Sequence, residues 1–323
     1  MRPEALQEVK AMPIGSLFMR TFLPLTLGAI LLAGLITRML YENELSLIKL
    51  QEQALLERSA ISLQKNLQPP QQHLISLRTE TLFLNSLHNP EGDLRGMENA
   101  FSSLLSRNKN YFQVRWIDQN GRERLRMERD ADRKPAIRRI PDDQLQDKSG
   151  RYYFKQTMKL AGTHQLYLSP MDLNVERGTL ELPHRPTLRM AIPLADEDQP
   201  RGILIINIDA REYLRELHQV LETHAARIQL INPEGFWLHH KDNTLEWGFQ
   251  LPHKNSFKKQ HADIWQEMHN FEQTQSMTGG GLWSWQPLYP DNDPKVFNNH
   301  SMGFLLLKRD PAELNLLRLQ YWG

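Results

Sequence analysis

The chain has 323 residues, enough for two domains of ordinary size. Its 39 basic and 38 acidic residues nearly cancel, which removes any electrostatic basis for binding nucleic acid. Cysteine is absent, so a disulfide framework, a thiolate metal site and a cysteine nucleophile are excluded. A mean hydropathy of −0.55 describes a polar chain in which a long apolar run stands out.

One such run begins at Thr21. No charge interrupts TFLPLTLGAILLAGLIT, and Met39, Leu40 and Tyr41 extend the apolar character beyond Arg38, whose side chain can snorkel to the headgroups. The roughly 20 residues needed to cross a bilayer are therefore present. A secretory signal peptide is the competing reading, but the run is longer than the usual signal core and lacks an Ala-x-Ala cleavage site. It reads as an uncleaved transmembrane helix. Arg2, Lys10 and Arg20 precede it and Glu42 and Glu44 follow it, which orients the amino terminus inwards and the remainder outside the cytoplasm.

Residues 41–68 contain neither Gly nor Pro, and Leu56, Ala60, Leu63 and Leu67 recur at 4-3-4 spacing, so the helix is expected to continue as a stalk. That stripe predicts either core packing or a parallel dimer seam. Pro69-Pro70 is expected to break the helix, because proline lacks the N–H donor and restricts the residue before it. A second helix then carries Leu74, Leu77, Thr81 and Leu84 and closes at Asn89-Pro90-Glu91-Gly92. A short helix follows with Met97, Phe101 and Leu104 on one face.

Two strand-like runs at 111–117 and 123–128 flank Asn120-Gly121, a strong hairpin signal. Residues 146–159 predict a helix carrying Arg151, Tyr152 and Tyr153, and 165–169 a strand ending at Ser169-Pro170. An irregular polar crossover leads to two apolar strands, 187–194 and 202–208, separated by an acidic turn. Residues 210–224 read as a connecting helix. A shorter version of the same order follows, with strands 226–231 and 236–239 around Asn232-Pro233-Glu234-Gly235. A helix at 261–269, a strand opened by Gly279-Gly280-Gly281, a last strand at 303–308 and a helix begun by Asp310-Pro311 complete it.

The series Ser169-Pro170, Asp172-Leu173-Asn174, Glu176, Gly178, Glu181, Pro183, Pro186, Arg189, Pro193, Gly202 resembles the membrane-distal half of double Cache (tandem PAS-like) sensor domains. These are extracytoplasmic regions of bacterial histidine kinases, diguanylate cyclases and chemoreceptors. The resemblance implies an α+β chain with two tandem PAS-like domains of antiparallel sheet. The division it implies is a cytoplasmic amino terminus at 1–20, a transmembrane helix at 21–41 and stalk helices at 42–90. A distal domain at 91–210, a connecting helix at 211–225, a proximal domain at 226–310 and a carboxyl-terminal helix at 311–323 leading towards the membrane follow.

Arg151, Tyr152, Tyr153, Tyr167, Asp172 and Arg189 are the candidate ligand-binding residues. Guanidinium groups offer forked donors to a carboxylate or phosphate, and tyrosines can wall an apolar portion or enclose a cation. In amino-acid-binding members of the similar family, an arginine followed two and three residues later by aromatics holds the ligand carboxylate, and a later aspartate takes the amine. Arg151, Tyr153 and Phe154 match that spacing, with Phe154 lacking a hydroxyl, and no aspartate here aligns as the amine partner. The competing reading is structural: Arg151 and Arg189 pair with Asp172, Glu176 or Glu181 and pin the crossover to the sheet.

Other motifs carry less. His239-His240 lacks further spaced metal ligands, Asp291-Asn292-Asp293 departs from a calcium loop at Pro294, and Gly279-Gly280-Gly281 follows no strand-to-helix phosphate pattern. No kinase, cyclase, hydrolase or zinc-protease motif is visible, so no catalysis and no cofactor are expected. The resulting expectation is the periplasmic ligand-sensing region of a single-pass inner-membrane receptor. It binds a small anionic or zwitterionic metabolite and forms a homodimer through its stalk helices. Because the chain stops soon after its last strand, it reads as a piece preceding an output domain or as a receptor that lost one. A membrane-anchored adaptor acting through a partner is the alternative.

Overall fold

The computed structural model describes residues 14–80, 85, 93–130, 136–196, 199–220, 228–269, 273–278, 281–291, 296–297 and 301–322. The readings that rest on Arg2, Lys10, Thr81, Leu84, residues 89–92, 221–227, Gly279, Gly280 and residues 292–294 lie outside them.

A single helix, α1 (Ile14–Thr79), dominates the chain. At 66 residues it extends about 100 Å, since each residue rises roughly 1.5 Å. Its first part is long and apolar enough to cross a membrane, and the large apolar side chains from Phe18 to Leu40 are exposed.

The expected break at Pro69-Pro70 does not occur, because both prolines lie inside α1. The carbonyl that the missing Pro70 N–H would have engaged belongs to Asn66. The hydroxyl of Tyr213 donates to that carbonyl at 2.8 Å, so the acceptor freed by Pro70 is not left orphaned. Burial of Leu67, Leu74 and Leu77 on either side offsets the proline strain. The two expected stalk helices are therefore one.

The 4-3-4 stripe is not a free dimer seam. Leu56, Ala60 and Leu67 are buried in this chain's own core, and Leu63 packs against it. The stripe faces two antiparallel sheets. After α2 (Arg95–Arg107), β1 (Tyr111–Ile117), β2 (Glu123–Arg129) and β3 (Ile137–Arg139) begin the first. Helix α3 (Tyr152–Met158) and the strands β4 (Tyr167–Leu168), β5 (Asp172–Leu173), β8 (Pro186–Asp196) and β9 (Gln199–Asp209) complete its module. Its order is β3-β2-β1-β9-β8-β4, with β5 also on β8, while β6 (Val175–Glu176) and β7 (Thr179–Leu180) form a separate hairpin inside the crossover. The crossover is thus more regular than its polar sequence suggests.

Helix α4 (Arg211–Val220) leads towards the second sheet, β11-β10-β14-β13-β12. That sheet comprises β10 (Ile228–Ile231), β11 (Trp237–His239), β12 (Gln275–Thr278), β13 (Gly281–Leu288) and β14 (Gly303–Arg309). Short helices α5 (Phe257–Gln260) and α6 (Ala262–Met268) cover it, and α7 (Pro311–Trp322) starts at the expected proline. Leu188, Met190, Leu204 and Ile206 of the first sheet and Leu230, Leu305 and Leu307 of the second share one core with α1. Polar contacts fix the helix against the second sheet, where Arg309 donates to the buried Glu52 at 2.9 Å and the Ser284 hydroxyl donates to it at 2.9 Å.

The sheets also touch through the crossover. The Gln250 side chain accepts from the Leu173 N–H at 2.7 Å and donates to the Leu173 carbonyl at 3.1 Å, while the Leu166 N–H donates to the Val296 carbonyl at 2.9 Å.

The helix expected at 146–159 begins only at Tyr152. Residues 146–149 are instead held to the first hairpin turn, where Gln146 O accepts from Glu123 N at 3.0 Å and Lys148 N donates to Gly121 O at 2.6 Å. Gly121 has φ +85, and a Cβ there would stand 2.4 Å from Ser149 Cα, so glycine permits this approach. Arg151 becomes the residue that caps α3, with extended φ −76 and ψ 137.

Tyr213→Phe removes the donor that serves Asn66, and urea unfolding is expected to show a loss of about 1 kcal/mol. In a Pro70→Ala background, which restores a helical N–H to that carbonyl, the same substitution should cost far less. Equal losses in both backgrounds would remove the Tyr213 hydroxyl from the account of the unbroken helix.

Candidate functional site

Alternation along the strands gives the first sheet one face towards α1 and one towards α3 and the crossover. The second face carries Gln113, Arg115 and Ile117 on β1, Arg189 and Ala191 on β8, and Ile203, Ile205 and Asn207 on β9. Strand register places Glu128, Gln113, Asn207 and Arg189 in one row across four strands. The next row runs Arg126, Arg115, Ile205, Ala191 and ends at Tyr167.

Two hydrogen-bonded groups occupy this face. In the first, the Arg189 guanidinium, 1% exposed, donates to Asp172 Oδ1 at 2.5 Å, to Asn174 Oδ1 at 3.0 Å and to the Tyr152 hydroxyl at 3.3 Å. The Tyr152 hydroxyl in turn donates to Asp172 Oδ2 at 2.6 Å. This is the pinning arrangement for Arg189 and Asp172. It ties the crossover to β8, and removing one partner would strand a buried charge at a cost of about 3–5 kcal/mol.

In the second group Arg115, 2% exposed, donates to Glu123 Oε1 at 3.1 Å, to the Tyr153 hydroxyl at 3.3 Å and to Asn207 Oδ1 at 2.8 Å. Asn207 passes the chain on by donating to Gln113 at 3.0 Å. The Nε of Arg115 is buried and meets no acceptor among the described residues.

Tyr153 stands where the two groups meet. The guanidinium carbons of Arg115, Arg151 and Arg189 lie 5.5, 5.6 and 5.4 Å from its ring centroid. Burial pushes its hydroxyl up, but Arg115, Lys148 and Arg189 outweigh burial and bring it below a phenol's ordinary value. Burial, with Arg115 nearby, also holds the Lys148 ammonium below the usual lysine range. The Tyr167 hydroxyl is pushed up to about 12 by burial and then by Asp172. Cationic charge therefore exceeds anionic charge around one aromatic ring in a site largely withdrawn from water.

All six candidate residues lie in this layer, with Tyr152, Asp172 and Arg189 bonded together and Arg151 stacked on Tyr153. Sequence reasoning missed Gln113, Arg115, Glu123, Lys148 and Asn207. The signal was present: Gln113 and Arg115 alternate with Val114 and Trp116, and Asn207 follows Ile203 and Ile205 at period two. Lys148 could not be found that way, because the turn at Gly121 brings it in.

A family model described as the sensor domain of bacterial histidine kinases matches residues 57–289. The chain belongs to that family. No curated protein matches the sensor domain in sequence. Among solved structures, a domain of a sensory box/GGDEF family protein from Vibrio parahaemolyticus superposes with a TM-score of 0.67 at 21% identity, covering 83% of this chain and 97% of that one. The sensory domain of a Campylobacter jejuni chemoreceptor gives 0.58 at 10% identity, covering 86% and 98%. The ligand-binding domain of a Pseudomonas aeruginosa PAO1 amino acid chemoreceptor, PctC, in complex with GABA gives 0.52 at 14%, covering 81% and 99%. At these identities the likeness carries the fold, and the family match makes the chain a sensor, which acts by binding.

Beside the cluster, burial raises the Glu176 carboxyl but Arg126 and the Gln146 amide outweigh burial and hold it at about 2, against an ordinary 4.5. A folded-state value below the ordinary one stabilises the fold above pH 4.5, and that contribution is lost as pH falls through about 2. Glu176→Gln should flatten the denaturation midpoint across this interval. A pH profile that overlays the unmodified protein's would mean that the Arg126–Glu176 pair contributes nothing.

Proposed function

We propose that the sensor domain detects a small anionic or zwitterionic metabolite on the face of the distal sheet covered by α3. The observation that carries this reading is the convergence of Arg115, Arg151 and Arg189 on the Tyr153 ring, with the buried Arg115 Nε unmatched. A carboxylate entering there would compensate the surplus charge and supply the missing acceptor. Arg151 is the proposed carboxylate contact, Tyr152, Tyr153 and Tyr167 the walls, and Arg189 with Asp172 the pair that holds the crossover over the ligand. Two structural neighbours support a small ligand of this kind: the Pseudomonas receptor is bound to GABA, and the Campylobacter receptor was solved with L-norvaline and with L-valine.

The proposed arrangement in the cell is a single pass through the inner membrane, with two sensing modules in the periplasm that divide near residue 210. The family match lends no support to an adaptor that acts only through a partner. Homodimerisation through the stalk remains part of the proposal, but on a different face. Leu47, Leu50 and Ile61 are 47%, 67% and 56% exposed and fall at helical spacing away from the buried stripe. Disulfide trapping in membranes should be stronger for Leu50→Cys and Ile61→Cys than for Gln51→Cys, an exposed position roughly 80–100° further round the helix. Trapping at Gln51→Cys to the same extent would sink this face as an interface.

Ligand binding is tested by thermal unfolding of the full chain in detergent micelles against a panel of amino acids and dicarboxylates. A ligand at a hundred times its dissociation constant is expected to add about 2.7 kcal/mol. Arg151→Ala should abolish the shift and leave the unliganded melting temperature nearly unchanged. Arg189→Ala should lower the melting temperature even without ligand, because it strands Asp172. A panel without any shift, or an Arg151→Ala protein that responds normally, would reject the proposed site.

A further inference from the structure

A groove of about 780 Å³ opens beside the α3 cluster, between β2, β3 and the β6–β7 hairpin. Six arginines line it, Arg126, Arg129, Arg138, Arg177, Arg185 and Arg211, against the four carboxylates Glu128, Asp130, Glu176 and Glu181. With Asp209, which neutralises Arg211 from outside the lining, six guanidiniums face five carboxylates, a net excess of one positive charge.

Several of these groups are matched to one another. Arg126 reaches Glu176 at 2.9 Å and Glu128 at 2.8 Å, Arg138 also binds Glu128, and Arg185 binds Glu181 at 3.0 Å. Arg211 pairs with Asp209, which does not line the groove. Arg129 is different, because its guanidinium donates through Nε and one terminal nitrogen to the backbone carbonyls of Tyr111, Leu105 and Asn108, which neither neutralise its charge nor engage its other terminal nitrogen. Arg177 has no hydrogen-bond or ion-pair partner among the described residues. The Nε of Arg126, a residue 5% exposed, is buried and unpaired, as is the Nε of Arg138.

Arg177 also occupies an unfavourable backbone position. It has φ +50 and Gly178 has φ +85, and these two residues form the whole connection between β6 and β7. A two-residue hairpin with both central φ angles positive favours Asn, Asp or Gly at the first position. Arginine there costs conformational energy for no backbone benefit, and its side chain lines the groove.

We propose that this groove is a second binding site, for a small polycarboxylate. The two guanidiniums without a carboxylate partner among the described residues, Arg129 and Arg177, sit on separate elements, β2 and the hairpin turn, so a ligand with two or more spaced carboxylates reaches both, and planar guanidinium forks suit carboxylate oxygens. The volume lies within the range of small-molecule sites. The proposal goes beyond the metabolite reading above, since it relies on Arg129 and Arg177, neither of which belongs to the α3 cluster.

The test is calorimetric titration of the full chain in detergent micelles at fixed ionic strength, with citrate, acetate and inorganic phosphate as separate probes. Citrate is expected to bind at least tenfold more tightly than acetate or phosphate. Arg177→Gly should weaken citrate at least tenfold while the melting temperature is kept or raised, because glycine suits φ +50 and so unfolding cannot account for the loss. Arg58→Ala, on the exposed stalk surface, should bind citrate as the unmodified protein does. Undiminished citrate binding by Arg177→Gly, or acetate and phosphate matching citrate, would overturn the proposal.

Discussion

Leu56, Leu67, Leu74 and Leu77 of α1 are all withdrawn from water, and they meet apolar side chains from both sheets in one continuous core. Each contributes roughly 1.5–3 kcal/mol by burial, and α1 contacts strands of both sheets. Hydrophobic burial has no preferred direction along a helix axis, so by itself it would tolerate sliding. The polar contacts supply the register. Glu52 receives Arg309 and Ser284, the Gln275 side chain donates to the Lys49 carbonyl, and Tyr213 closes the gap left by Pro70. A buried carboxylate is costly wherever its partners are absent, so a shift by one turn would expose the helix to that cost.

The two sheets use the same layout with opposite chemistry. The first sheet turns Gln113, Arg115, Arg189 and Asn207 towards its covering helix. The second sheet turns Trp237, Trp283, Trp285 and Leu306 towards α5 and α6, where Phe257, Ile264 and Met268 complete an apolar cluster. Rings in mutual contact make this face mostly apolar, and its buried Gln229 accepts from the Trp237 indole N–H at 2.9 Å. The first sheet's face keeps desolvated cations whose charge its own carboxylates do not balance. That difference in side chains is why the proposed ligand site falls on the first sheet and not on the second.

The fold was largely legible because period-two strands, the Asn120-Gly121 and Asn232–Gly235 turns and the Asp310-Pro311 helix start are local signals. The helix through Pro69 and Pro70 was not, since the hydroxyl that serves the carbonyl freed by Pro70 comes from Tyr213, 147 residues from Asn66 in sequence. The stripe at Leu56 and Leu67 was recognised as apolar, but periodicity cannot say whether a helix face meets its own chain or another. In the candidate site, Arg151, Tyr152, Tyr153, Tyr167, Asp172 and Arg189 were singled out by residue type and loop context, and they fall together on one face of the first sheet. Arg115 and Asn207 were hidden inside strands that read as core, and the start of α3 was misplaced because a tertiary contact with Gly121 overrides the helical pattern of 146–150.

The bidentate grip of Gln250 on Leu173 bears on where this molecule can be cut. Leu173 follows Asp172 directly, so the residue beside the buried Arg189 partner has both of its main-chain polar groups completed by the other module. Beads on a string could be separated and recombined at the connecting helix with little loss. Here a fragment holding the first sheet alone would carry an unfinished backbone next to its own charged pair, and a chimera with a foreign second sheet would inherit the same defect unless that sheet's module offered an amide at the same place. The modularity visible in the order of strands is therefore not a modularity of parts.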